Sequence, residues 1–137
     1  MNLSEAVKTV SEKFEYVSDA GSFLKDRWTV MGERDGKYRG DCEDFSLTIM
    51  SMVSGGVLSL LWNLFVGKYS LHFVASGASQ SGDHCIGSIG DMWFDNWSLC
   101  EMSREQFFAK TQHRYVKRFS FFIIASKLFT GFLFGKK

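Results

Sequence analysis

The chain contains no proline, so no turn is set by a locked φ and every reversal must rest on Gly, Ser, Asn or Asp. It has little charge of either sign in excess. A net charge of +1 gives no long-range field to gather nucleic acid, and no basic run stands apart from acidic neighbours before the C-terminal third. No nucleic-acid partner is expected. The first residues, up to Ala20, carry charges every few positions and no apolar run. No secretory signal is therefore expected, and the protein should be cytoplasmic as synthesised, or released by lysis. Cysteine is sparse and odd in number, three in all, so Cys42, Cys85 and Cys100 cannot all pair within one chain. They read as reduced thiols.

What is abundant is aromatic carbon: 14 Phe and 4 Trp among 137 residues. A chain of this length fits one domain, which buries roughly 70% of the surface its unfolded state exposes. Residues 1–118 are expected to form it, with 119–137 an aromatic C-terminal segment.

Ser4 can cap a first helix carrying Val7, Val10, Phe14 and Val17 on one side, with Gly21 as its stop. Gly32 to Gly40 is too polar and glycine-punctuated to be regular. A second helix should run from about Cys42 to Val53 and end at Gly55-Gly56, which puts Cys42 at a helix N-terminus. Val57 to Val66 reads as a short buried helix, Tyr69 to Ala75 as a strand, and Ser76 to Asp83 as a loop. His84 to Ile89 and Met92 to Trp97, joined by Gly90-Asp91, form a hairpin pattern. In that register Asp95 faces Ile86 and Trp97 faces His84. His84 and Asp95 become diagonal neighbours about 7 Å apart at the backbone, a gap that an imidazole and a carboxylate can bridge. Ser103 and Gln106 make a capping box for a short helix through Lys110.

The segment from Phe119 to Phe134 is nearly all apolar. It is shorter than the usual spanning length of about 17 to 25 residues, and Lys127 within it costs about 3 kcal/mol at a bilayer centre. As a helix it shows one polar strip, Ser126, Lys127, Thr130 and Gly131. It should be covered by the domain, by a second subunit or by a membrane surface.

A cysteine attacks as thiolate, and the partial positive charge of a helix N-terminus favours that form. Cys42 would then need a histidine to take its proton and a group to orient that histidine, roles open to His84 and Asp95. The competing reading is a small buried thiol and a chance His/Asp pairing.

Gly40-Asp41-Cys42-Glu43-Asp44-Phe45 closely resembles the G-D-C-E-D-[YF] motif of the bacterial transglutaminase-like cysteine proteinases. His84 followed by Phe94-Asp95-Asn96-Trp97 is similar to that family's later blocks, and so are Phe14-Glu15-Tyr16, Asp19, Asp26-Arg27-Trp28 and Glu33 upstream. The His84 to Asp95 interval is shorter than the family's, and the proline usual after its tryptophan is missing. The resemblance implies an α+β fold of papain/transglutaminase type, with the cysteine helix packed on a small antiparallel sheet carrying His84 and Asp95. It implies a cysteine peptidase acting on a protein or peptide through Cys42, His84 and Asp95, bacterial or phage-encoded. An oxyanion hole would take the Cys42 amide and, by family analogy, the Trp28 side chain. No cofactor is required for the chemistry. In adhesin-releasing relatives the acids flanking the cysteine bind calcium, which makes Asp41 and Glu43 ligand candidates; simple complementation of the helix dipole is the alternative. Amine-acyl transfer, murein endopeptidase activity and a non-catalytic binding module remain as alternative functions. His72, Cys85 and Cys100 read as core groups.

Overall fold

A computed structural model describes residues 1–17, 28–75, 84–98 and 100–134. The first helix, α1 (Leu3–Lys13), is capped by Asn2 and not by Ser4, with the Asn2 side chain accepting from the Glu5 amide. It ends before Phe14, where helix was expected to continue. Phe14–Tyr16 instead forms β1, paired in parallel with β2 (Tyr38–Gly40). The backbone of this stretch is satisfied by a distant strand, and that pairing overrides the helical spacing of Phe14 and Val17. Gly21, the expected stop, lies outside the described residues. Gly32 to Gly40, expected to be irregular throughout, ends in β2 because Phe14–Tyr16 lies beside it, and ahead of that strand Arg34 and Lys37 exchange backbone hydrogen bonds of 2.9 Å.

Helix α2 (Cys42–Ser54) follows at once, and its end at Gly55 in the left-handed region matches the expected stop. Helix α3 (Val57–Phe65) comes next, but it is not the buried helix expected. Leu60 and Leu64 face inward, while Leu58, Trp62 and Phe65 are exposed. Among the described residues one stripe of α3 is buried, so its nearly uniform apolarity overstates its burial.

Strands β3 (Tyr69–Ala75), β4 (His84–Ile89), β5 (Met92–Phe94), β6 (Met102–Ser103) and β7 (Arg114–Arg118) build the main sheet. Its order is β6-β5-β4-β3-β7, antiparallel throughout. Helix α4 (Arg104–Thr111) starts from the expected Ser103/Gln106 capping box. The last helix, α5, spans Phe121–Phe134. The architecture is α+β.

Alternation along β4 divides the core. Cys85 joins the larger cluster beneath α2, with Phe45, Leu47, Ile49 and Phe94. Ile86 joins the smaller cluster on the other face, with Val74, Trp93 and Phe107 of α4. A methyl at Gly87 would lie 2.9 Å from the Phe94 ring and 3.0 Å from Met50, so the missing side chain lets α2 sit close on β4.

The polar strip expected on α5 does not simply face solvent. The Lys127 ammonium lies 5.6 Å from the centre of the Trp28 ring, and Gly131 is buried against the Trp28 backbone. The small residue lets two backbones approach, so the docked side of α5 includes part of the strip. Phe122, Phe129, Phe132 and Leu133 point outward. Among the described residues no single helix is long and apolar enough to cross a membrane.

Candidate active site

The residues around Cys42 each have a local structural cause. Asp41 is the N-cap of α2, its carboxylate accepting from the Asp44 amide at 3.3 Å, while Asp44 accepts from the Asp41 amide at 3.2 Å. This reciprocal capping box satisfies two backbone donors at the helix start. The second Asp44 oxygen accepts from the Thr29 amide at 2.9 Å, and one turn along, the Thr48 hydroxyl accepts from the Met31 amide at 2.7 Å. A Cβ at Gly40 would lie 2.7 Å from Asp44 Oδ2, so glycine ahead of Asp41 keeps room for that carboxylate. The G-D-C-E-D run thus builds the helix entrance whatever else it does.

Cys42 sits at the start of α2, and its Sγ accepts a hydrogen bond from the Cys85 amide at 3.4 Å. The helix position favours an acidified thiol, while the acidic flank of Asp41, Glu43 and Asp44 in the sequence works against one. The structure opposes acidification: burial pushes the Cys42 pKa well above its ordinary value, and the negative charges of Glu43 and Asp41 push the same way, with only the Cys85 amide pulling back. Cys85 is pushed up as well, by complete burial and then by its neighbour Cys42.

His84 and Asp95 come together as their hairpin register implied. Ile89 pairs with Met92 and Gly87 with Phe94, while Gly90 has φ 58° in the turn. The ladder stops at Phe94, short of the expected Trp97. Asp95 leaves it because Oδ1 accepts from the amides of Trp97 at 3.1 Å and Ser98 at 2.6 Å, closing a local turn. Oδ2 meets His84 Nε2 at 2.9 Å. Asp95 is fully buried, and burial alone would raise its pKa; the His84 hydrogen bond and the Ser98 contacts outweigh this and hold it below the ordinary carboxylate value. The Trp97 indole covers the His84 ring, nearly parallel at 7° with centroids 3.7 Å apart.

Among the described residues no hydrogen bond joins Cys42 to His84. The sulfur touches the backbone at Cys85, the residue next to His84, while the His84 side chain leaves that backbone toward Asp95 and Trp97. With Nε2 on Asp95, Nδ1 is the ring nitrogen left to serve a thiol.

Trp28, expected as an oxyanion donor, is fully buried and packs edge-on against Phe119 at 5.2 Å, beneath Lys127. Asp19, Asp26 and Arg27 of the upstream blocks lie outside the described residues, as does the 76–83 loop. His72 is a satisfied core histidine, bonded to Tyr115 Oη at 3.0 Å and Ser88 Oγ at 2.8 Å and stacked on Trp93. Cys85 is buried and Cys100 partly so.

Sequence reasoning missed His113. Its Nε2 lies 3.5 Å from Asp95 Oδ2, and its ring centre is 5.3 Å from that of His84. No motif surrounds it. It reaches the site because α4 ends at Gln112, in the left-handed region, and the chain turns back toward β7. His84, Asp95 and His113 are also the one group among the described residues whose donor atoms could share a metal ion. Asp41 and Glu43 form no such group there, and the capping bond gives Asp41 a role without calcium.

Comparison of the chain with protein-family models, curated proteins and solved structures yields no match, so the resemblance to the transglutaminase-like proteinases rests on its motif residues alone.

Proposed function

We propose that the protein is a thiol hydrolase of papain/transglutaminase type that cleaves a peptide or isopeptide bond. The observation that carries this reading is the buried His84–Asp95 pair of 2.9 Å, shielded by Trp97, next to the backbone amide that contacts Cys42 Sγ. Asp95 on Nε2 fixes the His84 tautomer and orientation, as the third member of a catalytic triad must. The Cys42 proton passes to His84 Nδ1 as Sγ attacks the substrate carbonyl carbon. The tetrahedral oxyanion collapses, the C–N bond breaks, and His84 returns the proton to the leaving amine. Water, deprotonated by His84, then hydrolyses the thioester and restores the thiol; an amine in place of water gives acyl transfer. The resting arrangement lacks the bond from Sγ to His84, so substrate must bring Nδ1 onto sulfur.

A calcium ion at Asp41 and Glu43 belongs to the same reading, since it would offset two charges that oppose thiolate formation. Loss of melting temperature on chelation, restored by calcium and not by magnesium, supports it; an unchanged melting curve leaves these acids to the helix start.

The raised Cys42 pKa favours a second reading, a non-catalytic binding module. The outward Phe122, Phe129 and Phe132 on α5 give either form of the protein a surface for a second subunit or a membrane. An epoxide electrophile directed at active-site thiols, followed by mass spectrometry of the modified peptide, decides between enzyme and module. Selective labelling of Cys42 that is lost in His84→Ala supports the hydrolase. No labelling, or labelling indifferent to His84, overturns it.

A further inference from the structure

We propose that His84, Asp95 and His113 form a binding site for a divalent transition metal, zinc being the natural occupant. The three side chains come from β4, from the turn after β5 and from the exit of α4, and one donor atom of each lies within 4.8 Å of the others. Zinc bound to nitrogen and oxygen at about 2.0 to 2.1 Å places neighbouring ligands of a tetrahedron roughly 3.3 Å apart. The separations from Asp95 Oδ2, 2.9 Å to His84 Nε2 and 3.5 Å to His113 Nε2, bracket that edge, and the donor atoms of the two imidazoles lie within 4.8 Å of each other. Two imidazoles and a carboxylate suit zinc, and a water completes the set.

The surroundings have the character of an outer shell. Asp95 Oδ1 is committed to the amides of Trp97 and Ser98, which fixes the carboxylate with Oδ2 toward both imidazoles. The Trp97 indole clamps the His84 ring. All three side chains are withdrawn from water: His84 2% exposed, Asp95 0% and His113 5%.

Metal on His84 Nε2 displaces the Asp95 hydrogen bond and leaves the imidazole proton on Nδ1. That nitrogen can then accept no proton from a thiol. On the hydrolase reading, zinc is therefore an inhibitor that acts on the base and leaves the nucleophile untouched.

Metal binding is tested on the full-length Cys42→Ala protein, where no hydrolysis can occur, so its result does not depend on the hydrolase reading. Cobalt(II), as a spectroscopic stand-in, should give the visible absorption of a four-coordinate ion without a thiolate charge-transfer band. Zinc should displace it and raise the melting temperature. Both effects should be lost in Cys42→Ala carrying His113→Gln, whose metal-free melting curve checks that it folds. His84→Gln on the same background provides an independent second variant. No absorption and no thermal shift, or binding that survives both histidine substitutions, overturns the site. Inhibition of epoxide labelling of Cys42 by zinc in the wild-type protein is a separate measurement, and its absence overturns only the inhibitory role.

Discussion

Asp95 Oδ2 receives His84 Nε2 at 2.9 Å although the β4–β5 ladder has ended at Phe94. Because Oδ1 also holds the amides of Trp97 and Ser98, one carboxylate fixes both the turn and the ring. Asp95→Ala removes the acceptor from buried donors and should cost about 2 to 4 kcal/mol, read as a lowered melting temperature. Asp95→Asn can keep the turn through its carbonyl oxygen but presents N–H groups to a nitrogen that now donates. It should fold, and Cys42-dependent turnover should fall by about 100-fold or more. An Asn variant with full activity would remove Asp95 from the mechanism.

Glu43 opposes ionisation of Cys42. Glu43→Gln should lower the pH at which Cys42 alkylation by iodoacetamide reaches half its maximal rate, and speed the reaction near neutrality about threefold or more. Cys85, fully buried, should stay slow in both proteins. Peptide mapping after timed labelling reads both.

His72 is held neutral: burial first, then the charges of Arg118 and Arg104, lowers its pKa from 6.5 to about 4. The unfolded chain takes up this proton before the folded one does. Stability should thus be unaffected by His72 above pH 6.5 and decline as pH falls toward about 4. The accumulated loss is about 3 kcal/mol and levels off below that pH. His72→Gln breaks the contacts with Tyr115 Oη and Ser88 Oγ and lowers stability overall, yet it should flatten this slope in urea titrations across the range.

Gly131 of α5 is buried against the Trp28 backbone, and a Cβ there would overlap the Trp28 carbonyl. Gly131→Ala, helpful to an isolated helix by about 1 kcal/mol, should here destabilise by about 1 to 3 kcal/mol. Phe132→Ser, at an 87% exposed position, should leave the melting temperature of the monomer unchanged. If sedimentation shows a dimer, the same change should weaken it.

The parts of the fold legible in sequence were those with local causes. Cys42–Ser54, the Tyr69–Ala75 strand, the Ser103/Gln106 box and the Ile89 to Met92 register follow from caps, alternation and a glycine turn. The register brought Asp95 to the end of the ladder opposite the start of β4, which made its approach to His84 legible, but the turn that aims the carboxylate, closed by the amides of Trp97 and Ser98, was not. What could not be read depended on distant partners. Phe14–Tyr16 is a strand because Tyr38–Gly40 lies beside it, and α3 is half-exposed because few elements pack on it. The thiol pKa follows from burial that helix position does not reveal, and His113 arrives by the path of α4.

Asp44 and Thr48 of α2 receive the amides of Thr29 and Met31, alternate residues of the preceding chain. Four helical residues rise about 6 Å, and two residues of chain span at most about 7 Å, so the two repeats nearly coincide. The helix presents side-chain acceptors at the spacing a strand would offer with its carbonyls. Inserting or deleting one residue between Thr29 and Met31 breaks this match, so the two bonds cannot both be kept. Trp28, the residue before Thr29, meets α5 through its amide on the Lys127 carbonyl and its backbone against Gly131. The first turns of the helix that holds Cys42 and the C-terminal helix thus grip the same short stretch of chain, residues 28–31, from two sides.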